Sequence, residues 1–302
     1  MKAFLTGGSG FVGTALTHFL TEQGHEVTIL SRTGRGGDRL AGRVAVMTGD
    51  PTKPGPWQDA CGRHDVLINL AGATAFRRWT DSYKKLMVQS RILTTRHVVE
   101  AIPRDRGSQI TLISTSGVGY YGFTGDEELG EDSPPGSDFF ARLAQDWEAE
   151  ALKAQDKGAR VVVTRFGVVL GGGGGALPLM TLPFRLFFGG PLGNGRQWVS
   201  WIHQQDFCRA MLFAAEHPNI QGALNFASPY PVRNAELAAA IGKVLRRPAF
   251  MPAPAFMMKL VLGEFASVIL KGQRVVPGAL QRHGFTFIFP DVNKALEDLL
   301  GK

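Results

Sequence analysis

Short continuous apolar runs alternate along this chain with longer segments whose apolar residues return every three or four positions. That alternation predicts buried strands followed by amphipathic helices, the pattern of an α/β fold. The runs are Ala3-Phe4-Leu5, Val27-Thr28-Ile29-Leu30, Val44-Ala45-Val46-Met47, 65–70, 109–113, 160–170 and 223–227. Helical spacing follows at 15–20, 76–100, 139–153, after Asp206, 234–245 and 292–300. Asp206 and Asn234 stand where helix N-caps belong. The five glycines 171–175 supply no fixed geometry and read as a mobile loop. From 178 to 195 the chain is apolar with glycine punctuation, and from 246 onward it is rich in Pro and Met. The division expected is a nucleotide-binding domain over 1–245, carrying substrate-lobe segments after about 170, and a small C-terminal domain over 246–302.

The first apolar run ends in Thr6-Gly7-Gly8-Ser9-Gly10-Phe11-Val12-Gly13 and passes at once into a helical segment. Glycines between a strand and a helix permit a tight turn and a close approach of backbone to a pyrophosphate. The helix N-terminus then turns unpaired N–H groups and a positive dipole end toward the phosphates. Gly7, Ser9, Gly10, Phe11, Val12 and Gly13 are therefore the candidate phosphate cradle. The second run ends in Ser31-Arg32, with Arg35 three residues on and no carboxylate between. An NAD site usually has an acidic residue here for the ribose 2′-hydroxyl, whereas a guanidinium pairs with a 2′-phosphate. Ser31, Arg32 and Arg35 thus favour NADP(H) over NAD(H). Small residues at the end of the fourth run, Leu70-Ala71-Gly72, leave room for a nucleotide beside the sheet. Arg91, on the helical stretch that follows, is either turned toward the cofactor or solvated.

Composition narrows the class. The chain has 302 residues, 44% of them hydrophobic and 20% charged, which supports a large core and argues against disorder. The net charge is +7, but the basic residues are scattered apart from pairs such as Arg77-Arg78 and Arg246-Arg247. No nucleic-acid module emerges from them. Cys61 and Cys208 have no metal-ligand spacing and fit a reducing compartment. No leader precedes the first strand, and no apolar run reaches the ~20 residues a membrane span needs. The expectation is a cytoplasmic protein, monomer or homodimer, without metal, nucleic-acid or membrane partner.

The glycine turn, Asn69-Leu70-Ala71-Gly72, the serines before Tyr121-Gly122 and Trp201-Ile202-His203-x-x-Asp206 together resemble the extended short-chain dehydrogenase/reductases. Arg78-Trp79, Gly119-Tyr120-Tyr121-Gly122, Asp146-Trp147-Glu148 and the glycine run resemble more closely their atypical subfamily of epimerase family proteins. The resemblance spans essentially the whole chain. It implies a Rossmann-type doubly wound parallel sheet with a small C-terminal substrate lobe. It also implies NADP contacts from the glycine loop, Arg32, Leu70-Ala71 and Arg91.

Such enzymes move a hydride with the help of a Tyr-x-x-x-Lys pair on one helix face, the lysine lowering the tyrosine's pKa. Setting Glu148 against the family's helix puts Phe140 at the tyrosine position and Ala144 at the lysine position. Neither does proton chemistry. The remaining candidates are Ser116 with Tyr121 at the end of the fifth run, and, as a second set, His203 with Asp206. An aromatic lining from Trp79, Tyr121, Phe184, Phe187, Trp198 and Trp201 would suit a partly apolar substrate. Two functions fit: an NADP(H)-dependent oxidoreductase or epimerase-like protein acting on an unknown carbonyl or hydroxyl compound, or a non-catalytic NADPH-binding regulator.

Overall fold

The computed structural model of the chain describes residues 1–34 and 44–301. Seven parallel strands form its central sheet: β1 (Lys2–Thr6), β2 (Glu26–Ser31), β3 (Val44–Thr48), β4 (Val66–Asn69), β5 (Thr111–Gly117), β6 (Arg160–Phe166) and β7 (Gly222–Phe226). Their order across the sheet is β3-β2-β1-β4-β5-β6-β7. The chain enters at β1, winds out to one edge, then returns to β4 and winds to the other. The reversal between β1 and β4 is the switch point at which such sheets bind ligands.

Side chains of successive strand residues point to opposite faces, which explains why both faces must be apolar. Leu5, Ile29, Ile68, Ile113 and Val162 face one helical layer, where Leu16, Leu20, Phe207 and Met211 meet them. Their neighbours Phe4, Leu30, Leu67, Leu112 and Val161 face the other, against Trp57, Val98 and Val99. Helices α1 (Phe11–Glu22), α2 (Asp81–Glu100) and α3 (Phe139–Leu152) flank the sheet. Helix α4 (Leu177–Arg185) packs instead in a separate core beside Leu170 and Trp201, α5 (Gln204–Glu216) returns to the sheet, and α6 (Asn234–Leu245) joins α4 in that separate core. After these come α7 (Ala255–Leu262), α8 (Phe265–Lys271) and α9 (Val292–Leu300), with a short helical turn at Gly278–Arg282.

Several local readings change. Helix α2 starts at Asp81, because the Thr80 hydroxyl accepts the Tyr83 N–H and fixes its beginning there. The run 160–170 is broken at Gly167, where a β-carbon would lie 2.6 Å from the Ser200 carbonyl oxygen. Residues Val168–Leu170 leave the sheet and pair with Trp201–His203 instead. Asp206 is no helix cap. It is fully buried, and its two oxygens take the N–H groups of Ile288 and Phe289, each at 2.8 Å. The cap of α5 is His203, whose Nδ1 accepts the Gln205 N–H. Asn234 is the first residue of α6, and its carboxamide oxygen accepts the Leu192 N–H.

The stretch after 245 joins two cores of the main body. Val292, Ala295 and Leu296 of α9 pack on Leu237, Ala238 and Ile241 of α6. Ala279, Leu280 and Phe285 enter the cluster that lies under the sheet. Among the described residues no helix is long and apolar enough to cross a membrane.

Candidate cofactor site and catalytic positions

The glycine turn lies at the switch point. Gly7 has φ +74°, and a β-carbon there would come within 2.9 Å of the Leu70 and Ala71 backbone. A side chain at Gly13 would overlap the Gly7 carbonyl, so α1 packs against the turn only because this residue has none. Gly10 precedes α1 with no side-chain cap and no acidic residue in the first turn. The first N–H groups of α1 are thus left for an external anion, with the positive dipole end behind them. Ser9 and Gly10 are exposed, and Phe11 and Val12 half-buried.

Beside this turn, Ser31 is buried at the end of β2 and Arg32 is exposed one residue later. Asp50 lies near enough to feel the Arg32 charge. Against the opposing effect of its burial, hydrogen bonds from Thr52 and the charges of Lys53 and Arg32 hold its carboxyl below the usual range. Arg35 lies outside the described residues.

Leu70, Ala71 and Gly72 follow β4 on the other side of the turn. Gly72 faces Arg91: a β-carbon there would be 3.2 Å from the guanidinium carbon. The Arg91 side chain is buried, lies 5.1 Å from the Trp147 ring centre and donates to the Met87 carbonyl at 3.3 Å. Burial lowers its pKa to about 10. It forms no ion pair among the described residues. A buried cation without a carboxylate is costly unless an anion arrives to meet it. This cation and the uncapped start of α1 both fit a dinucleotide phosphate.

Within the glycine run, Gly171, Gly174 and Gly175 pack against the Phe11 ring, whereas Gly172 and Gly173 are exposed. At Gly171 and Gly174 a β-carbon would lie 2.8 and 2.9 Å from atoms of the Phe11 ring, at the first turn of α1. They allow the backbone to lie flat on that ring.

Helix α3 carries Phe140 and Ala144 at the positions of the missing dyad. Phe140 packs against Gly119 and stands 5.4 Å from Trp79, in a cluster with Phe139 and Phe265. One turn beyond Ala144, the same helix presents Glu148, buried and paired through two hydrogen bonds with Arg165 of β6. Ser116 donates its hydroxyl proton to Glu148 at 2.6 Å. Tyr121 donates to Asn225 Oδ1 at 2.7 Å and accepts from Arg165 Nη1 at 2.9 Å. Burial pushes the Tyr121 pKa up to about 12 against the lowering effect of Arg165. Ser116 and Tyr121 therefore meet through Glu148 and Arg165, and both hydroxyl protons are committed inside the protein. His203 stands apart from them, stacked on Phe289 and 3.3 Å from Asp298. Its pKa is lowered by burial, against the raising influence of Asp298 and Asp206.

Of the expected aromatic lining, only Trp79 belongs to the cluster beside Phe140. Tyr121, Phe184 and Trp201 are core residues, Phe187 projects into solvent, and Trp198 lies between Arg233 and Arg274. The Glu148–Arg165 pair is not legible as a unit in the sequence. Its signal was Arg165 itself, since a charge inside a strand buried on both faces requires a partner.

Comparison with known proteins matches residues 3–226 to the NAD dependent epimerase/dehydratase family and residues 253–299 to a domain of unknown function, DUF1731. The chain belongs to that family, within its group of epimerase family proteins. It is 39% identical to epimerase family protein YfhF of Bacillus subtilis, over 99% of this chain and 98% of that protein. It is 40% identical to epimerase family protein SDR39U1 of Mus musculus, over 99% of this chain and all of that one. The crystal structure of human SDR39U1 (isoform 2) with NADPH superposes with TM-score 0.84 at 36% identity, covering 99% of each chain.

Proposed function

We propose that this protein binds NADP(H) in preference to NAD(H), as an oxidoreductase or epimerase-like protein for a small carbonyl or hydroxyl compound that dispenses with the Tyr-Lys pair. The observation that carries the reading is the uncapped start of α1 beneath the Gly7 turn, together with the Arg91 cation buried under Gly72, which has no carboxylate partner among the described residues. The N–H groups of Phe11, Val12 and Gly13 hold phosphate, with Ser9 and Gly10 leaving the approach open. Arg32 takes the 2′-phosphate, beside Ser31 and with no carboxylate at the end of β2. Leu70, Ala71 and Gly72 form the floor, and Arg91 supplies the second cation. The human relative solved with NADPH supports the choice of cofactor.

Bound NADPH supplies a hydride. The chain's own part is to bind and orient the cofactor and to keep the strand ends fixed. Ser116 and Tyr121 act in that second role, locking the ends of β5 and β6, and the reaction's proton comes from substrate or solvent. Calorimetric titration with NADPH and NADH tests the cofactor reading. A preference for NADPH that falls by about tenfold or more in Arg32→Ala is expected from loss of a charge-assisted phosphate contact. Equal affinity for both cofactors in the native chain would remove it.

A second reading, an NADPH-binding regulator without turnover, is favoured by one specific feature. Phe140, Trp79, Phe139 and Phe265 pack together where the tyrosine would work. Tight NADPH binding with no NADPH oxidation across a broad carbonyl panel selects this reading over the oxidoreductase.

A further inference from the structure

Helix α7 is built almost wholly of apolar residues, Ala-Phe-Met-Met-Lys-Leu-Val-Leu, and none of them is buried. An apolar helix in a soluble fold normally hides one stripe. Here Phe256, Met257, Leu260 and Val261 share an outward face, with Phe256 71% and Leu260 74% exposed. A second exposed apolar stripe runs along α4 and its exit: Leu179, Leu182, Leu186, Phe187 and Phe188. The two stripes adjoin. Met251 donates its N–H to Gly189, Ala253 to Pro191, and Gly193 to Ala253. Phe250 and Met251, also exposed, bridge the gap.

The conformation of Phe187 is the costly part of this surface. It closes α4 with φ +65°, the left-handed position where glycine is the usual residue. A bulky side chain there is strained, and the result is an aromatic ring projecting to solvent.

Charge decides what can cover this face. The segments 177–190 and 246–262 contain Arg185, Arg246, Arg247 and Lys259 and no Asp or Glu. All four cations are exposed, and none forms an ion pair among the described residues. Arg247 lies over the Phe187 ring at 4.3 Å, so cation and apolar surface are interleaved. A second copy docking face to face would bring four uncompensated cations against four more. An anionic lipid surface meets both properties at once: its headgroups take the cations and its acyl boundary takes the aromatic and aliphatic side chains.

We propose that the face formed by α4, α7 and the strand-like segments between them docks on anionic phospholipid membranes. The sequence argues against a membrane partner only through the absence of a spanning run, and a helix lying in the interface needs none. The apolar stripe enters the headgroup boundary, and Arg185, Arg246, Arg247 and Lys259 hold the phosphates around it.

The test is flotation of the full chain with vesicles of phosphatidylcholine alone and of phosphatidylcholine with an equal part of phosphatidylglycerol. Binding to the anionic vesicles only, weakened by salt, is expected. Arg246→Glu with Arg247→Glu should lower it by about tenfold or more. Phe256→Ser with Leu260→Ser should abolish it, with NADPH binding retained. Phe187→Gly separates docking from folding: it relieves the backbone strain, so thermal stability should hold or rise while vesicle binding falls. Absence of anionic vesicle binding, or binding that survives the Phe256/Leu260 and Arg246/Arg247 variants unchanged, would overturn the proposal. So would a dimer in sedimentation velocity that Phe256→Ser with Leu260→Ser splits, because a second copy would then be the occupant.

Discussion

Glu148 and Arg165 face each other fork to fork, Nε to Oε1 at 2.9 Å and Nη2 to Oε2 at 2.8 Å, with both side chains buried. Arg165 also lies 3.5 Å from the centre of the Tyr120 ring and donates to Tyr121 and to the Glu131 carbonyl. One guanidinium thereby ties α3, β6 and the turn 118–121 together. Glu131, brought in by that bond, accepts the N–H groups of Asn225 and Ala279 through its carboxylate.

Removing one member of this pair leaves the other charged and buried. Arg165→Met should therefore cost about 3–5 kcal/mol of unfolding free energy, and the double change Arg165→Met with Glu148→Leu should recover much of it. Urea denaturation of the single and double variants measures both. A loss near zero in Arg165→Met would mean that water, not the protein, surrounds the carboxylate.

Tyr121→Phe removes a hydroxyl that serves Asn225 and Arg165. With those partners left unsatisfied, a loss of about 1–3 kcal/mol is expected, with NADPH affinity unchanged. If any carbonyl compound is reduced, the rate should persist in the variant. A variant that keeps full stability but loses all turnover would restore Tyr121 as the proton donor.

His203 makes stability depend on pH. Its Nδ1 accepts a backbone N–H, so the neutral ring carries its proton on Nε2. Burial lowers the pKa in the folded state from the usual 6.5. The unfolded chain therefore binds the proton more readily, and the stability His203 contributes is present above about pH 6.5 and lost as pH falls toward the folded value. His64, also lowered by burial, acts in the same direction. Thermal melts at neutral and mildly acidic pH should show the decline, and His203→Asn, which can still cap α5, should make it shallower, leaving the part due to His64. A melting temperature independent of pH through this range would show that the folded ring accepts a proton freely.

The parts of this protein that were legible in the sequence are those written in local pattern. Alternating faces along β1, β2, β4, β5 and β6 require a sheet covered on both sides, and the glycine turn marks where that sheet reverses. What local pattern could not show is pairing between distant residues. Asp206 reads as a helix cap because it precedes a helix, but its oxygens serve Ile288 and Phe289, some eighty residues on. Nothing in the composition of the glycine run names the Phe11 ring against which Gly171, Gly174 and Gly175 pack. Ser116 lies near the end of β5 as the sequence reads it, with Tyr121 closing the turn that follows, but their partners Glu148, Arg165 and Asn225 lie on three other elements. The absence of the Tyr-Lys pair, by contrast, was visible at once, since it depends only on spacing within α3.

Arg91 offers a test in which stability and binding should move in opposite directions. Its guanidinium is buried against Gly72 and Trp147 with no ion-pair partner among the described residues, so in the cofactor-free protein only the Met87 carbonyl and the Trp147 ring offset its desolvation. Arg91→Met keeps most of the volume and removes the charge. The cofactor-free variant should be as stable as the native chain or more so, by about 1 kcal/mol, as expected when a buried charge gives way to an apolar side chain. NADPH should bind about tenfold or more weakly, because an anion loses a charge-assisted partner. Differential scanning calorimetry with and without NADPH reads both effects in one experiment: the native chain should gain far more stability on binding than the variant, as ligand linkage requires. If Arg91→Met lost stability in the absence of cofactor and bound NADPH normally, Arg91 would be a packing residue on Trp147, and the second cation of the cofactor site would have to be sought elsewhere.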